Sequence, residues 1–291
     1  MKATTQLVGL IGWPVEHSVS PAMHNSAFCA AGLDWCYVPL PVAHGQVECA
    51  VRGLAALGFR GANVTVPHKQ AVMQYLDAVS AAAQEIGAVN TIVLRGGRTH
   101  GHNTDADGFL MALCGAGFDP AGCRAVVVGS GGAARAVIYS LLRSGAGEIS
   151  VVNRTLRRAE ALVEELGSSA DLTGKLTALT LSEASLVESA RAADLLIHTT
   201  PTGMWPHVGE SVWPQGVPIP AHLVVFDLVY NPPETKLLGQ ARKAGAHPIG
   251  GLEMLVNQGI LAFEIWTGRR PSPDVMRTAA RMELEGSHRA S

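Results

Sequence analysis

Two polar clusters hold the residues best suited to moving a proton. In Gly61-Ala-Asn63-Val-Thr65-Val-Pro67-His68-Lys69, polar and apolar residues alternate as in a strand, a proline ends the run, and Lys69 follows just past that end. At the carboxyl ends of parallel strands, side chains face the crevice where ligands bind, a position that suits a lysine to transfer a proton. The second cluster, Gly101-His-Asn103-Thr104-Asp105-Ala-Asp107-Gly108, offers Asp105 as its partner. A nearby carboxylate holds an ammonium in place and favours its charged form, while burial works the other way. Local turn chemistry is the competing explanation for Asp105 and Asp107, because Asx side chains bond readily to their own backbone. Asn90-Thr91 and Ser18-Val19-Ser20 add uncharged donors and acceptors, a set that suits a polyhydroxylated ligand.

A third motif binds rather than reacts. Val126-Val127-Val128-Gly129-Ser130-Gly131-Gly132-Ala133-Ala134 places an apolar strand directly before G-x-G-x-x-A, which opens a helix over Arg135–Arg143. The glycines let backbone amides approach a pyrophosphate, and the helix N-terminus supplies free donors and partial positive charge. The next strand ends Val151-Val152-Asn153-Arg154-Thr155, without the carboxylate that would repel a 2′-phosphate. Arg154 is suited to bind such a phosphate through paired charge-assisted hydrogen bonds, and Thr155 to cap the following helix. NADP is therefore expected over NAD. Arg157 and Arg158 either reinforce that phosphate site or pair with Glu160 and Glu164 on a solvated helix.

These residues require two sheets to position them. Short β-branched runs bounded by Gly and Pro alternate with Ala-rich stretches of helical period, which predicts an α/β protein built from β-α-β units. In the first part, strands are expected near Leu7–Ile11, Tyr37–Leu40, Ala62–Val66 and Thr91–Leu94, with helices after Ser20-Pro21, near His44 and near Lys69. A Rossmann-type doubly wound series follows, with strands at 124–128, Ile149–Val152, Leu195–His198 and Leu223–Phe226. The last helices, Leu252–Trp266 and Pro273–Leu284, lack a following strand and should return to the first domain. The expected domains are 1–107 with 252–291 for substrate and catalysis, and 108–251 for NADP. Closure about the two linkers is expected to exclude water during reaction.

Composition bounds what the protein does. At 291 residues, 47% hydrophobic and 16% charged, the chain has enough apolar surface for two cores. With 22 basic and 24 acidic residues the formal net charge is −2, so no field for nucleic acid or anionic membrane is expected. Mean hydropathy is slightly positive, yet no apolar run reaches the roughly 18 residues of a spanning helix. Lys2 precedes only a short apolar stretch, which reads as a first strand rather than a leader. Five cysteines without a Cys-x-x-Cys pair predict reduced, mostly buried thiols in a cytoplasmic protein. His68, His100, His102 and Asp105 match no metal-site spacing, so no metal is expected.

Taken in order, these motifs resemble the shikimate dehydrogenase family across nearly the whole chain. The resemblance rests on Gly12-Trp-Pro14 through Ser18-Val-Ser20-Pro21-Ala-Met-His24-Asn25, on Asn63 to Lys69, on Ala88-Val-Asn90-Thr91 and on Asn103-Thr104-Asp105. It continues through Gly129 to Arg135, Asn153-Arg154-Thr155, Thr200-Pro201-Thr202-Gly203-Met204, Asp227 to Pro232 and Gly251 to Gln258. Trp13 departs from the Asn common in the opening motif, and Gly259 from the Ala that often follows the glutamine. The resemblance implies NADP-dependent interconversion of 3-dehydroshikimate and shikimate in aromatic amino-acid biosynthesis. It implies that Ser18 and Ser20 hold the substrate carboxylate and that Thr65, Lys69, Asn90, Asp105 and Gln258 bind hydroxyls, with Lys69 and Asp105 the catalytic pair. Tyr230 would contact substrate. Gly129, Ser130, Gly131, Gly132, Ala133, Asn153, Arg154, Thr155, Arg158 and Thr200 would bind cofactor, with Gly251 and Met254 near its nicotinamide end. The implied partner is a small molecule, and the implied assembly a monomer or homodimer. Quinate or quinate/shikimate dehydrogenase is the alternative within the class, and a noncatalytic NADP-binding module the alternative outside it.

Overall fold

A computed structural model describes residues 2–168, 172 and 174–289. They form two units: one runs to Gly108 and resumes at Val256, and the other spans Phe109–Leu255. No helix among the described residues is long and apolar enough to cross a membrane.

The first unit is built on β1 (Gln6–Gly12), α1 (Ser20–Ala30), β2 (Trp35–Pro41), α2 (Val47–Ala56), β3 (Gly61–Val64), β4 (Ala78–Val79), α3 (Ala81–Ile86), β5 (Thr91–Arg95) and β6 (Arg98–His102). The helix α4 (Asp105–Gly115) follows. The strand order is β2-β1-β3-β5-β6-β4. β1 runs parallel to β2 and β3, but β5 is antiparallel to both β3 and β6. The sheet is therefore mixed. One face packs Ile11, Ala62, Val64 and Ile92 against Val47, Val51 and Leu54 of α2. Each of the Val, Leu and Ile side chains, taken fully out of water, contributes roughly 1.5–3 kcal/mol.

Two expectations fail. Instead of a helix near Lys69, the chain makes a 3-10 turn over Ala71–Tyr75, because β4 begins at Ala78 and leaves no room for a longer element. The cysteines are not mostly buried: Cys29, Cys49 and Cys114 are exposed, and Cys123 alone is buried. Their helical phase explains this. α2 turns Val47, Val51 and Leu54 inward, which sends Cys49 to the solvent side. Burial, with a smaller push from Asp194 and Asp119, raises the Cys123 thiol to about 11, so it stays protonated and inert.

The second unit is a regular doubly wound sheet. Its elements are β7 (Arg124–Val128), α5 (Gly132–Arg143), β8 (Glu148–Asn153), α6 (Leu156–Gly167), β9 (Lys175–Thr180), α7 (Glu183–Ala192), β10 (Leu195–His198), β11 (Val224–Asp227), α8 (Lys236–Lys243) and β12 (His247–Gly250). All are parallel, in the order β12-β11-β10-β7-β8-β9. Residue alternation assigns the faces: Ala125 and Val127 pack with Val137, Ile138 and Leu162, whereas Val126 and Val128 pack with Leu186 and Ala241. Parallel strands covered on both sides read as continuous apolar runs, which is why β7 and β10 stand out in the sequence. β9, with its half-buried residues, does not.

The final helices, α9 (Leu252–Thr267) and α10 (Pro273–Arg289), lie in the first unit from Val256 onward, as their lack of a following strand implied. α9 helps close an aromatic cluster. Phe28 stacks on Phe263 at 4.9 Å, His24 stacks on Tyr37 at 4.6 Å, and Trp266 donates its indole N–H to the Ile92 carbonyl at 2.9 Å.

His24 is completely buried, and neither ring nitrogen has a hydrogen-bond partner among the described residues. Burial therefore lowers its pKa to about 3 from the ordinary 6.5. A neutral folded histidine stabilises the fold fully above 6.5, and the contribution falls with pH between 6.5 and about 3, where only the unfolded chain takes up the proton. In that window the loss is about 1.4 kcal/mol per pH unit. His24→Phe, which keeps a stacked ring, should reduce the drop in melting temperature on acidification. An unchanged acid sensitivity in calorimetric scans would contradict this.

Candidate active site

The ends of β1 and β3 set out the first polar region. Ser18 lies in the loop after β1, and Ser20 opens α1 with Pro21 in its first turn. Ser20 donates its backbone N–H to Ser18 Oγ at 3.3 Å. Thr65 follows the neighbouring strand β3 and stays bonded to β1 through its N–H and the Ile11 carbonyl at 2.8 Å. Four residues later Lys69 turns inward. Its Nζ donates to Asp105 Oδ2 at 2.6 Å, with the lysine side chain 14% exposed and the aspartate 6%.

Asp105 is fixed from several directions. Asn103 Oδ1 caps α4 by accepting from the Asp105 and Ala106 N–H groups at 3.0 and 3.3 Å, which sets the carboxylate at the helix start. The positive end of a helix favours a carboxylate there. Asn90 Nδ2 donates to Asp105 Oδ1 at 2.9 Å and lies 3.5 Å from Gln258 Oε1 on α9. Asn90 Oδ1 in turn accepts from the Thr104 N–H at 2.7 Å and the Thr91 hydroxyl at 3.0 Å. Gly108 permits this convergence, since a Cβ there would meet Gln258 Cβ at 2.8 Å. Burial foremost, and then the charges of His100 and Arg95, lower the pKa of nearby His102. Lys69, Asn90, Asp105 and Gln258 thus come together, and the turn reading of Asp105 gives way to a helix-start, ion-paired carboxylate.

The second unit opens a glycine turn at the end of β7. Gly129 has φ +118°, and a Cβ there would meet Thr199 Oγ1 at 2.4 Å, so only glycine lets the β7–α5 turn lie against the Thr199-Thr200 segment. Gly131 is the N-cap of α5 without a side-chain cap, and open space surrounds its Cβ position. The helix N–H groups therefore remain available to an anion. Arg154 and Arg158 are exposed, and neither they nor Arg157 form an ion pair among the described residues. Thr155 is the N-cap of α6, but its side chain makes no cap bond, contrary to expectation. Instead the Asn153 amide donates to the Thr155 carbonyl at 2.9 Å. Gly251 packs against the Leu228 carbonyl, and Met254 is buried in the core beside α5 and α6. Tyr230 belongs to this unit, whereas the other residues expected at the substrate belong to the first.

A feature that spacing did not reveal is a buried histidine–aspartate pair closing two neighbouring strands, His198 on β10 and Asp227 on β11, which face each other in register. The available signal was an ionisable residue ending each of two apolar runs.

A doubly wound sheet with an open glycine turn, and a separate α/β unit presenting an ion-paired lysine among hydroxyl and amide groups, define a two-unit dinucleotide-dependent oxidoreductase. Comparison narrows the class. Models described as shikimate dehydrogenase substrate binding domain, shikimate / quinate 5-dehydrogenase and shikimate 5'-dehydrogenase C-terminal domain match residues 10–92, 115–204 and 251–281. A relative from Moorella thermoacetica named shikimate dehydrogenase (NADP(+)) is 49% identical over 287 residues, covering 99% of this chain and 96% of its own. The Thermus thermophilus shikimate 5-dehydrogenase, solved with NADP(H) and shikimate, has TM-score 0.84 and 40% identity over 96% of this chain and 99% of its own. The Listeria monocytogenes shikimate 5-dehydrogenase, solved with shikimate and NAD, has TM-score 0.85 and 36% identity over 96% and 97%. The chain belongs to the shikimate dehydrogenase family.

Asn90→Ala should leave Asp105 Oδ1 and the Thr104 N–H short of partners and destabilise the first unit by about 1–3 kcal/mol. A lowered urea midpoint at constant m-value would show it, and an unaltered midpoint would refute it.

Proposed function

We propose that this chain catalyses the reversible, NADP-dependent reduction of 3-dehydroshikimate to shikimate. The observation that carries the reading is the Lys69–Asp105 ion pair, set among Asn90, Gln258 and the polar ends of β1 and β3 in a member of this family. The first unit is assigned to substrate and the second to cofactor. Bound NADPH supplies a hydride to the ring ketone.

The residues of the chain do the rest. Ser18 and Ser20, at the start of α1, offer hydroxyls and a helix N-terminus to the substrate carboxylate. Thr65, Asn90, Asp105 and Gln258 offer the donors and acceptors that a ring bearing several hydroxyls needs, and Tyr230 contributes a further contact. Among the described residues, Asp105 is the one hydrogen-bond partner of the Lys69 ammonium, so two of its three N–H donors stay open to substrate. As hydride arrives, the carbonyl oxygen gains negative charge, and Lys69 stabilises it and gives it a proton. In the reverse direction the neutral amine takes the hydroxyl proton back. Asp105 holds Nζ on target throughout.

The turn around Gly129, Ser130, Gly131, Gly132 and Ala133 suits a pyrophosphate, because its helix amides are uncapped and its glycine positions open. Arg154, with Arg158 in support, suits the 2′-phosphate, and Asn153 and Thr155 line the same strand end. Thr200, Gly251 and Met254 are assigned to the far half of the cofactor.

Lys69→Ala should lower kcat by roughly 10²–10⁴ with the fold retained. Turnover near the wild-type rate in the purified variant would remove the lysine from the mechanism. Arg154→Asp should raise KM for NADPH far more than for NADH, whereas equal effects on both would mean that another group selects the cofactor. NADPH oxidation measured side by side with 3-dehydroshikimate and 3-dehydroquinate tests the substrate. A preference for the second would move the chain to the quinate branch.

A further inference from the structure

A buried line of hydrogen bonds reaches Asp105 from the β2 edge of the sheet. Tyr37 on β2 is 1% exposed, and its hydroxyl lies 2.9 Å from Asn63 Oδ1 on β3. Tyr37 pairs with Val8 and Asn63 with Leu10, so both side chains stand on one face and meet across β1. The stacked His24 ring, 4.6 Å away, holds the phenol in place. From Asn63 the line continues through Nδ2, which donates to the Asn90 carbonyl at 3.1 Å and to the Thr91 hydroxyl at 3.0 Å. Thr91 donates to Asn90 Oδ1 at 3.0 Å, and Asn90 Nδ2 donates to Asp105 Oδ1 at 2.9 Å. All five residues are buried.

Backbone groups fix the direction of the line without reference to any titrating group. A carbonyl only accepts, so the Asn63 NH₂ faces Asn90, and its Oδ1 is left to accept from Tyr37. A backbone N–H only donates, so Asn90 Oδ1 faces the Thr104 N–H at 2.7 Å, and its NH₂ is left for Asp105. Each member therefore gives a hydrogen toward the carboxylate whose other oxygen accepts from Lys69. Bonds aligned in this way polarise one another in a dry interior. Phenylalanine at 37 and apolar residues at 63 and 91 would fill the same space without the cost of burying polar groups.

We propose that Tyr37 is a positioning residue for the Lys69–Asp105 pair, acting through Asn63, Thr91 and Asn90. Without its hydroxyl, Asn63 Oδ1 is a buried acceptor with a lost donor, and turning the amide over would set that oxygen against the Asn90 carbonyl. Either outcome loosens the hold on Asn90, and with it the aim of Asp105 and of the ammonium. No proton travels along the line. The inference rests on the assignment of Lys69 as proton donor.

The test is steady-state NADPH oxidation by 3-dehydroshikimate in wild type, Tyr37→Phe, Thr91→Val, Thr91→Ser, the Tyr37→Phe/Thr91→Val double variant, and Lys69→Ala with and without Tyr37→Phe. Tyr37→Phe keeps the stacked ring and Thr91→Val the side-chain shape, so each removes one hydroxyl. Each should lower kcat roughly fivefold, the size of one net hydrogen bond, and leave KM for NADPH within about twofold of wild type. The double variant should lose no more than Thr91→Val alone, because the line is already cut, and Thr91→Ser should recover most of that loss. On Lys69→Ala, Tyr37→Phe should make no further difference. Wild-type kcat in Tyr37→Phe, multiplied losses in the double variant, or the same loss with Lys69 absent would overturn the proposal. If Tyr37→Phe does not fold, Thr91→Val decides, and wild-type kcat in it is the contrary result. Full turnover in Lys69→Ala removes the proton donor itself and this inference with it, whereas a lysine-dependent enzyme indifferent to Tyr37→Phe sinks the inference alone.

Discussion

An ammonium held 2.6 Å from a carboxylate, with both side chains largely removed from water, is the constraint that organises the first unit. Such a pair persists only if its remaining donors and acceptors are satisfied, because the desolvation of two ions offsets much of their attraction. The surrounding sequence does that work. Asn103 sets the start of α4, Asn90 bonds to the second carboxylate oxygen, and Thr91 and Thr104 hold Asn90 in turn. Removing one member leaves others unpaired, so the site behaves as a network rather than as two residues.

The second unit is built differently, around a glycine turn that leaves the start of a helix without a side-chain cap. Gly129 lets the turn lie against Thr199, and Gly131 leaves the end of α5 uncapped. Both devices depend on β7 being rigid, and its residues Ala125 to Val128 are buried between two helical layers. Apolar packing thereby becomes a polar opening at the carboxyl edge of the sheet. At the same edge the buried His198–Asp227 pair ties β10 to β11.

How much of this was legible in the sequence depended on whether one face or two were buried. β7, β10 and β11 are covered on both sides and read as uninterrupted Val, Leu and Ile runs, so their positions were expected almost to the residue. β6 and β9 carry exposed or half-buried polar residues, and the Gly96-Gly97 turn that pairs β5 with β6 passed unremarked. The absent helix after Lys69 reflects spacing to β4, which no local propensity encodes. Lys69 and Asp105 were legible because a lysine after Pro67 and an aspartate beside Asn103 stand where a core has no use for charge. Gln258 came only through resemblance, since a glutamine in a long apolar helix carries no signal of what it faces. His198 lay hidden for the opposite reason: it ends an apolar strand, and its partner is on a strand 29 residues away.

In the proposed reaction the Lys69 ammonium is the proton donor to the carbonyl that receives hydride. Chemical rescue tests this most directly, by adding methylamine to the Lys69→Ala variant and following NADPH oxidation by 3-dehydroshikimate. The account predicts that turnover rises in proportion to added methylammonium, by about tenfold or more at saturation, while Asp105→Asn gains nothing from the same amine. Turnover indifferent to the amine in a Lys69→Ala protein that already works at the wild-type rate would contradict it.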